Sequence, residues 1–191
     1  MRSPTRRALL ATTATALAGL AGCTDTGGDG ASPTPEPTPI PTPSPPPTPQ
    51  PTVVGATCSS TGGHYRFAPP VVSIEVGETV RWSGASRCKQ QVLAYHPDTD
   101  APLRIPEGAA SWESPVMKQG EAFSHTFETP GVYNYYGLYE QFGQVGVVVV
   151  GDPAVDPSTQ PGLTRPGESV PAEARTRLLE LIGEVEAELS G

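Results

Sequence analysis

Between Ala31 and Thr52 the chain places eleven prolines in 22 residues, with threonine between many of them. Proline fixes φ and lacks an amide hydrogen, so at every second position it blocks helices and sheet ladders alike. What remains open is an extended polyproline II rod rising about 3.1 Å per residue, roughly 70 Å of reach for the tract. Such tracts also serve as ligands for aromatic grooves, and their threonines can accept sugars. A stalk is the plainer reading, and it leaves the residues after Thr52 to build any folded core.

The segment before the stalk reads as an address. Thr5-Arg6-Arg7-Ala8-Leu9-Leu10 opens an apolar run to Ala21, and Leu20-Ala21-Gly22-Cys23 closes it. Twin arginines ahead of a short apolar segment resemble a Tat export signal, and Leu-Ala-Gly-Cys resembles a lipobox whose Cys becomes the lipid-modified first residue of the mature chain. The run is too short to span a bilayer. A short core helix would be the alternative, but the basic start, the small-residue end and the Cys arrive together and in order. The expected organisation is a signal at 1–22, a lipid-anchored spacer at 23–52 beginning with Cys23, a domain at 53–152, and a linker plus helix at 153–191. The expected location is the extracytoplasmic face of the cell membrane.

Charge narrows the partners. The chain has 12 basic and 20 acidic residues; Arg2, Arg6 and Arg7 precede Cys23, so the mature form carries 9 minus 20, or -11. An acidic surface repels phosphate backbones and anionic head groups, which argues against nucleic acid and leaves the lipid anchor as the membrane contact. Lys89 and Lys118 are the sole lysines. Low lysine with excess carboxylate suits solubility in high salt.

Val53 to Asp152 is enough chain for one small core. Its pattern is short strands divided by Gly and Pro: His64–Phe67, then Val71–Val76 with apolar and polar positions alternating, a turn at Gly77-Glu78, and Val80–Trp82. Gln91–Tyr95, Phe123–Phe127, a turn at Pro130-Gly131, Tyr133–Tyr136 and Val145–Val150 follow. Strands of this length with regular turn signals predict an antiparallel β-sandwich. Val147–Val150, apolar on both faces, suits a central strand.

Phe67-x-Pro-x-Val71-x-Ser-x-Glu-Val76-Gly77-Glu-Thr-Val80-Arg-Trp82, followed by Phe123-x-x-x-Phe127-x-x-Pro130-Gly131-x-Tyr133-x-Tyr135-Tyr136, resembles the plastocyanin-like cupredoxins, in particular the halocyanin-type membrane-anchored blue copper proteins of halophilic archaea. The resemblance covers residues 64–151, and Ala94–Gly108 resembles a loop found in some of those relatives. It implies an all-β, cupredoxin-like Greek-key sandwich, preceded by the disordered Pro/Thr-rich spacer and followed by the C-terminal helix. It also implies one-electron copper redox.

The ligand positions do not follow. Type 1 copper needs a thiolate and two imidazoles, usually with a weak thioether above them. The family's first His position falls on Gln90, its Cys on Gly137, its second His near Tyr139 and its axial Met on Gln144. Gln can act as the weak axial ligand, but loss of the thiolate removes the strongest bond. His96 lies about 20 Å along the strand from Gln90 at about 3.3 Å per residue, so it cannot share that site. His64 and His125 read as surface or structural residues. The expectation is therefore no cofactor; copper at a rebuilt, non-standard site, serving electron transfer, is the alternative.

With Cys23 lipidated, Cys58 and Cys88 are an even pair in an oxidising compartment, and a disulfide between them is the default. The competing role is a displaced thiolate at Cys88, about 7 Å from Gln90 if the strand is extended. Around the closing hairpin, tyrosines and Phe142 crowd among amides. They either fill the space that metal and ligands would occupy or form a recognition patch of Tyr136, Tyr139, Glu140 and Phe142 for a protein partner. Pro171–Leu189 predicts a helix with Leu178, Ile182, Val185 and Leu189 on one face, either docked on the sandwich or free to bind a partner. No nucleophile-and-base motif such as Gly-x-Ser-x-Gly is present, so the chain is not read as an enzyme. A lipid-anchored binding or accessory protein is the leading reading.

Overall fold

Short apolar stretches punctuated by Gly and Pro become eight strands among the described residues: β1 (Thr52–Cys58), β2 (Tyr65–Ala68), β3 (Val71–Ile74), β4 (Thr79–Gly84), β5 (Val92–Ala94), β6 (Ala122–Thr126), β7 (Gly131–Gly137) and β8 (Val145–Val150). One helix, α1 (Ala172–Leu189), ends the chain. The structure, a computed structural model, describes residues 50–58, 64–153, 156 and 158–191. The signal expected at 1–22, the Cys23 anchor and the proline tract as far as residue 49 lie outside the described residues.

The strands form two four-stranded sheets, ordered β2-β1-β4-β6 and β3-β8-β7-β5. The expected sandwich is present, with two corrections. Strand pairing is not purely antiparallel, because β1 runs parallel to β4 and β3 parallel to β8. The chain crosses to the second sheet after β2 and returns with β4, which brings β4 alongside β1 in the same direction. The first strand is also not at His64, since β1 precedes it and begins at Thr52, the last residue assigned to the spacer. Val54 and Ala56, both fully buried, hold β1 in the sheet.

Side chains alternate between the faces of a strand, and β8 has both sets buried. Val148 and Val150 enter the core between the sheets with Phe67, Trp82, Phe127 and Tyr135. Val145, Val147 and Val149 enter a second core with Val132, Leu163 and Val170 on the outer face of the second sheet. Helix α1 closes that core with Ala174, Leu178, Leu181, Ile182 and Val185. The buried stripe is wider than expected, and Leu189 is only partly covered. The helix is therefore docked on the sandwich.

Arg104 holds the connecting segment in place. It is 2 % exposed and donates from Nε to Asn134 Oδ1 (2.8 Å), and from Nη2 to the carbonyl oxygens of Thr164 (2.7 Å) and Gly162 (3.2 Å). All these acceptors are neutral, so burial lowers the guanidinium pKa from 12.5 to about 10. Gly162 has no room for a side chain, since a Cβ there would run into Val132 of β7. No described helix is long and apolar enough to cross a membrane.

Candidate functional site

The loop from Gly137 to Gln144 joins β7 to β8 and is tied from within. The Gly137 amide donates to the Gln144 carbonyl (2.9 Å), Glu140–Phe142 forms a 3-10 turn, and Gly143 ends that turn in the left-handed region at φ 79°. Gln144 is fully buried. Its Oε1 accepts from the Tyr139 amide (3.1 Å), and its Nε2 donates to Oε1 of Gln90 (2.6 Å), which is also fully buried. Gln90 is held in turn by two backbone bonds to Met117, of 2.8 and 2.7 Å. A side chain at Gly137 would collide with that of Gln144. The four positions singled out in the sequence, Gln90, Gly137, Tyr139 and Gln144, thus converge at one pole around a hydrogen-bonded amide pair. One donor is left over, as Gln90 Nε2 meets no acceptor among the described residues.

In the same loop, the Tyr139 ring stacks on Tyr65 with centroids 4.0 Å apart, and the Phe142 ring lies 5.2 Å from Tyr65. Leu138 and Phe142 are exposed beside them. Of the expected recognition residues, Tyr139 and Phe142 share this face. Tyr136 is turned toward the insertion loop, its hydroxyl donating to Thr99 O (3.0 Å), and Glu140 accepts from the buried Tyr95 hydroxyl (2.6 Å). Tyr65 and Tyr95 were not foreseen in this role, although the spacing of Tyr65 before the Phe67 motif was visible. Alongside the rings runs a cleft of about 280 Å³ between the loop and the first turns of α1, lined by Arg66, Phe142, Gly143, Thr176 and Arg177 among others.

Burial raises the Glu140 carboxyl above its ordinary 4.5, and the hydrogen bond from Tyr95 offsets this only in part. Burial likewise raises the Tyr95 hydroxyl, which therefore stays protonated as the donor. A carboxyl that holds its proton more tightly folded than unfolded adds stability as pH falls from neutral through its folded pKa, and loses that contribution above it. Glu140→Gln keeps an oxygen to accept from Tyr95 and cannot titrate. Urea unfolding across pH should show the parent gaining stability relative to this variant between neutral pH and the ordinary carboxylate range near 4.5. Parallel pH profiles would show that Glu140 carries no such dependence.

Cys58 and Cys88 are disulfide-bonded, which removes Cys88 as a thiolate. The histidines do not meet. His64 is exposed, His96 caps the 3-10 turn Pro97–Thr99 through its Nδ1, and His125 on β6 stacks on Trp112 at 4.7 Å. Burial lowers the His125 pKa, which favours the neutral ring. The Ser111 hydroxyl donates to Asp98 (2.9 Å), whose carboxylate lies 3.3 Å from His96. With the carboxylate between them, the imidazole cannot take the serine proton as a general base would. Among the described residues no three His, Cys, Asp or Glu side chains converge on a metal position.

Copper is the group this architecture raises, and the donor set does not fit it. The pole offers two carboxamides, a phenol ring stacked on Tyr65 and a glycine in place of soft ligands. Both ends of the Gln144 amide are already engaged within the protein.

No family model matches the sequence. The structure is similar to pseudoazurin from Methylobacterium extorquens AM1, at 20% identity over 71% of this chain and 99% of that one, with a TM-score of 0.57. A pseudoazurin from Sinorhizobium matches at 22% identity over 71% and 96%, with a TM-score of 0.56. The fold is that of a cupredoxin. A purple cupredoxin from Nitrosopumilus maritimus aligns over 52% of this chain with a TM-score of 0.41, too low to refine the assignment. On the cupredoxin frame, the β7–β8 loop with its amide pair is the pole where the sequence resemblance places the copper ligands.

Proposed function

We propose that this chain is a cupredoxin-fold binding or accessory protein whose copper pole has become a metal-free docking face. The observation that carries this is the buried pair of Gln90 and Gln144, closed by the Tyr139 amide at 3.1 Å, in the same loop whose Tyr139 and Phe142 rings stack against Tyr65. Amides engaged with each other do not supply the soft donors of type 1 copper. The Tyr65, Tyr139 and Phe142 rings present the rigid, partly polar surface favoured at recognition sites. Catalysis has no support in the arrangement, since the residues that resemble acid, base or nucleophile are held apart or committed to structure.

The setting follows from the sequence. The twin-arginine segment and Leu20-Ala21-Gly22-Cys23 support Tat export and a lipid on Cys23, which would hold the domain at the extracytoplasmic face of the membrane. The acidic chain and the halocyanin-like motif from Phe67 to Trp82 support descent from the membrane-anchored blue copper proteins of halophilic archaea. The partner is a protein, without a contribution from nucleic acid.

The test uses the full chain carrying Cys23→Ser, treated with Cu(II) and dialysed. The expected product is colourless, retains no stoichiometric copper and shows no reversible redox wave. Tight one-to-one copper with a strong visible charge-transfer band would overturn the reading.

A further inference from the structure

An antiparallel strand bonds to its neighbour through every second residue, and the residues between turn their N–H and C=O groups the other way. Around β6, the Gly84 amide donates to Glu121 O (2.9 Å) before the strand, and the Phe127 amide donates to Glu78 O (3.0 Å) after it. The register between these bonds gives β4 the main-chain groups of Phe123 and His125, and turns those of Ala122, Ser124 and Thr126 outward. The Thr79 and Thr126 hydroxyls, 2.8 Å apart, meet across one of the pairs that exchange no main-chain bond. β6 is the last strand of its sheet, and among the described residues no backbone group meets the three outward amides and carbonyls.

The other three edges are guarded. Residues 112–117 cover β5, with the Ala94 amide donating to Trp112 O (2.9 Å) and bridges joining Gln90 to Met117 and Leu93 to Glu113. β2 carries Arg66 and stops at Pro69-Pro70. β3 starts after Pro70, and its Ser73 hydroxyl donates to Glu188 of α1 (3.3 Å), which sets a carboxylate beside it. Charge, proline and cover are the devices by which sheet edges avoid pairing. β6 uses none of them. Its sequence, Ala-Phe-Ser-His-Thr, has no charged residue and no proline, no bulge interrupts its five pairs with β4, and Ser124 and Thr126 are exposed.

We propose that β6 pairs antiparallel with β6 of a second copy of this chain, about a two-fold axis at Ser124, joining two four-stranded sheets into one. The edge is complementary to itself, as a two-fold contact requires. With Ser124 on the axis, Ala122 meets Thr126 on either side, and the three facing pairs each exchange two main-chain bonds. No charge faces a like charge along the seam. At its ends the charges are complementary: the same register brings Glu128 of one copy to the turn at 118–121 of the other. There Lys118 is exposed, and Glu121 is turned back onto the Lys118 amide (2.7 Å). Both copies are acidic overall, but at about 0.15 M salt that repulsion is screened beyond about 8 Å, whereas a charge pair in contact keeps its attraction. A five-residue seam is small, so the pairing is weak. It involves none of the residues of the pole and holds whether or not the pole binds a partner.

The experiment uses the full chain with Cys23→Ser and the Cys58–Cys88 disulfide intact, at about 0.15 M salt. Its concentration is raised from about 10 μM to about 1 mM, a range that brackets a weak pairing. Sedimentation equilibrium should show the mass moving from one chain toward two. Over the same range, amide exchange at Ser124 and Thr126 should slow by about fivefold or more, while Phe123 and His125, already bonded to β4, keep their rates. Ser124→Lys sets two like charges against each other at the axis, on an exposed position, and should leave a folded single chain at every concentration. Ser124→Glu should do the same with the opposite sign of charge. A parent that remains a single chain throughout would overturn the proposal. So would a dimer that survives both substitutions, a dimer in which Ser124 and Thr126 exchange as fast as in the single chain, or one abolished by Phe142→Ser, which would place the contact at the rings of the pole.

Discussion

Arg104→Met should destabilise the protein by about 2–4 kcal/mol and loosen the segment leading into α1. Two effects oppose each other. Removing the guanidinium relieves a buried charge, and the fall of its pKa from 12.5 to about 10 places that relief at about 3 kcal/mol. Against it, Asn134 Oδ1 and the Gly162 and Thr164 carbonyl oxygens lose their donor. A buried acceptor left without a partner costs about 1–3 kcal/mol, and bonds to a charged donor stand at the upper end. Three such losses outweigh one relief. Because Gly162 and Thr164 precede α1, hydrogen exchange should rise at Leu163 and Val170 before it rises in β4 or β8. Stability unchanged from the parent would show that the acceptors find water or other donors, and would remove Arg104 as the clamp.

The Cys58→Ser, Cys88→Ser double variant should lose about 3–4 kcal/mol, the loop-closure contribution for a cross-link over the 30-residue separation. At this chain length that lowers Tm by roughly 10 °C. Serine suits both positions sterically, and the Ser86 hydroxyl, 3.1 Å from both the Cys58 amide and its sulfur, can bond a serine at 58 as well. The parallel ladder between β1 and β4 runs from Thr52 to Ala56 on one strand and Val80 to Gly84 on the other, so the cysteines stand just beyond its end. They pin the stretch carrying Tyr65 and Gln90 to the sheets. Calorimetry with and without the bridge measures the effect. A Tm shift of only a degree or two would mean that the ladder alone already closes this loop in the unfolded ensemble.

Much of the frame could be read from spacing. The Phe67–Trp82 and Phe123–Tyr136 patterns located strands because each alternates about a turn signal. β1 escaped because Val53 and Val54 follow a proline run and Gly55 and Ala56 interrupt their apolar pattern, so the stretch looked like the end of the stalk. The parallel pairs were illegible for a different reason: alternation fixes which face is buried, not which neighbour a strand takes. At the pole, the positions of Gln90, Gly137, Tyr139 and Gln144 could be aligned. The bond between two glutamines 54 residues apart could not be seen before the fold brought them together. Arg104 gave no sign at all, since an arginine in a Pro- and Gly-containing loop reads as a solvated charge. Its burial depends on the C-terminal segment that crosses over it. The α1 stripe was recognised by its period, but Ala174 and Leu181 widen it because a sheet offers a broader seat than another helix.

The double burial of β8 has a practical consequence for where the chain can be cut. A fragment ending at Asp152 keeps all eight described strands yet loses Leu163, Val170 and the whole inner face of α1. Val132, Val145, Val147 and Val149 would then stand bare on adjoining antiparallel strands. Uncovered β-branched side chains on a sheet face form a contiguous adhesive surface. Such a fragment is complete as a topology and deficient as a solute, and its self-association through that face would be a product of the cut and not a property of the protein.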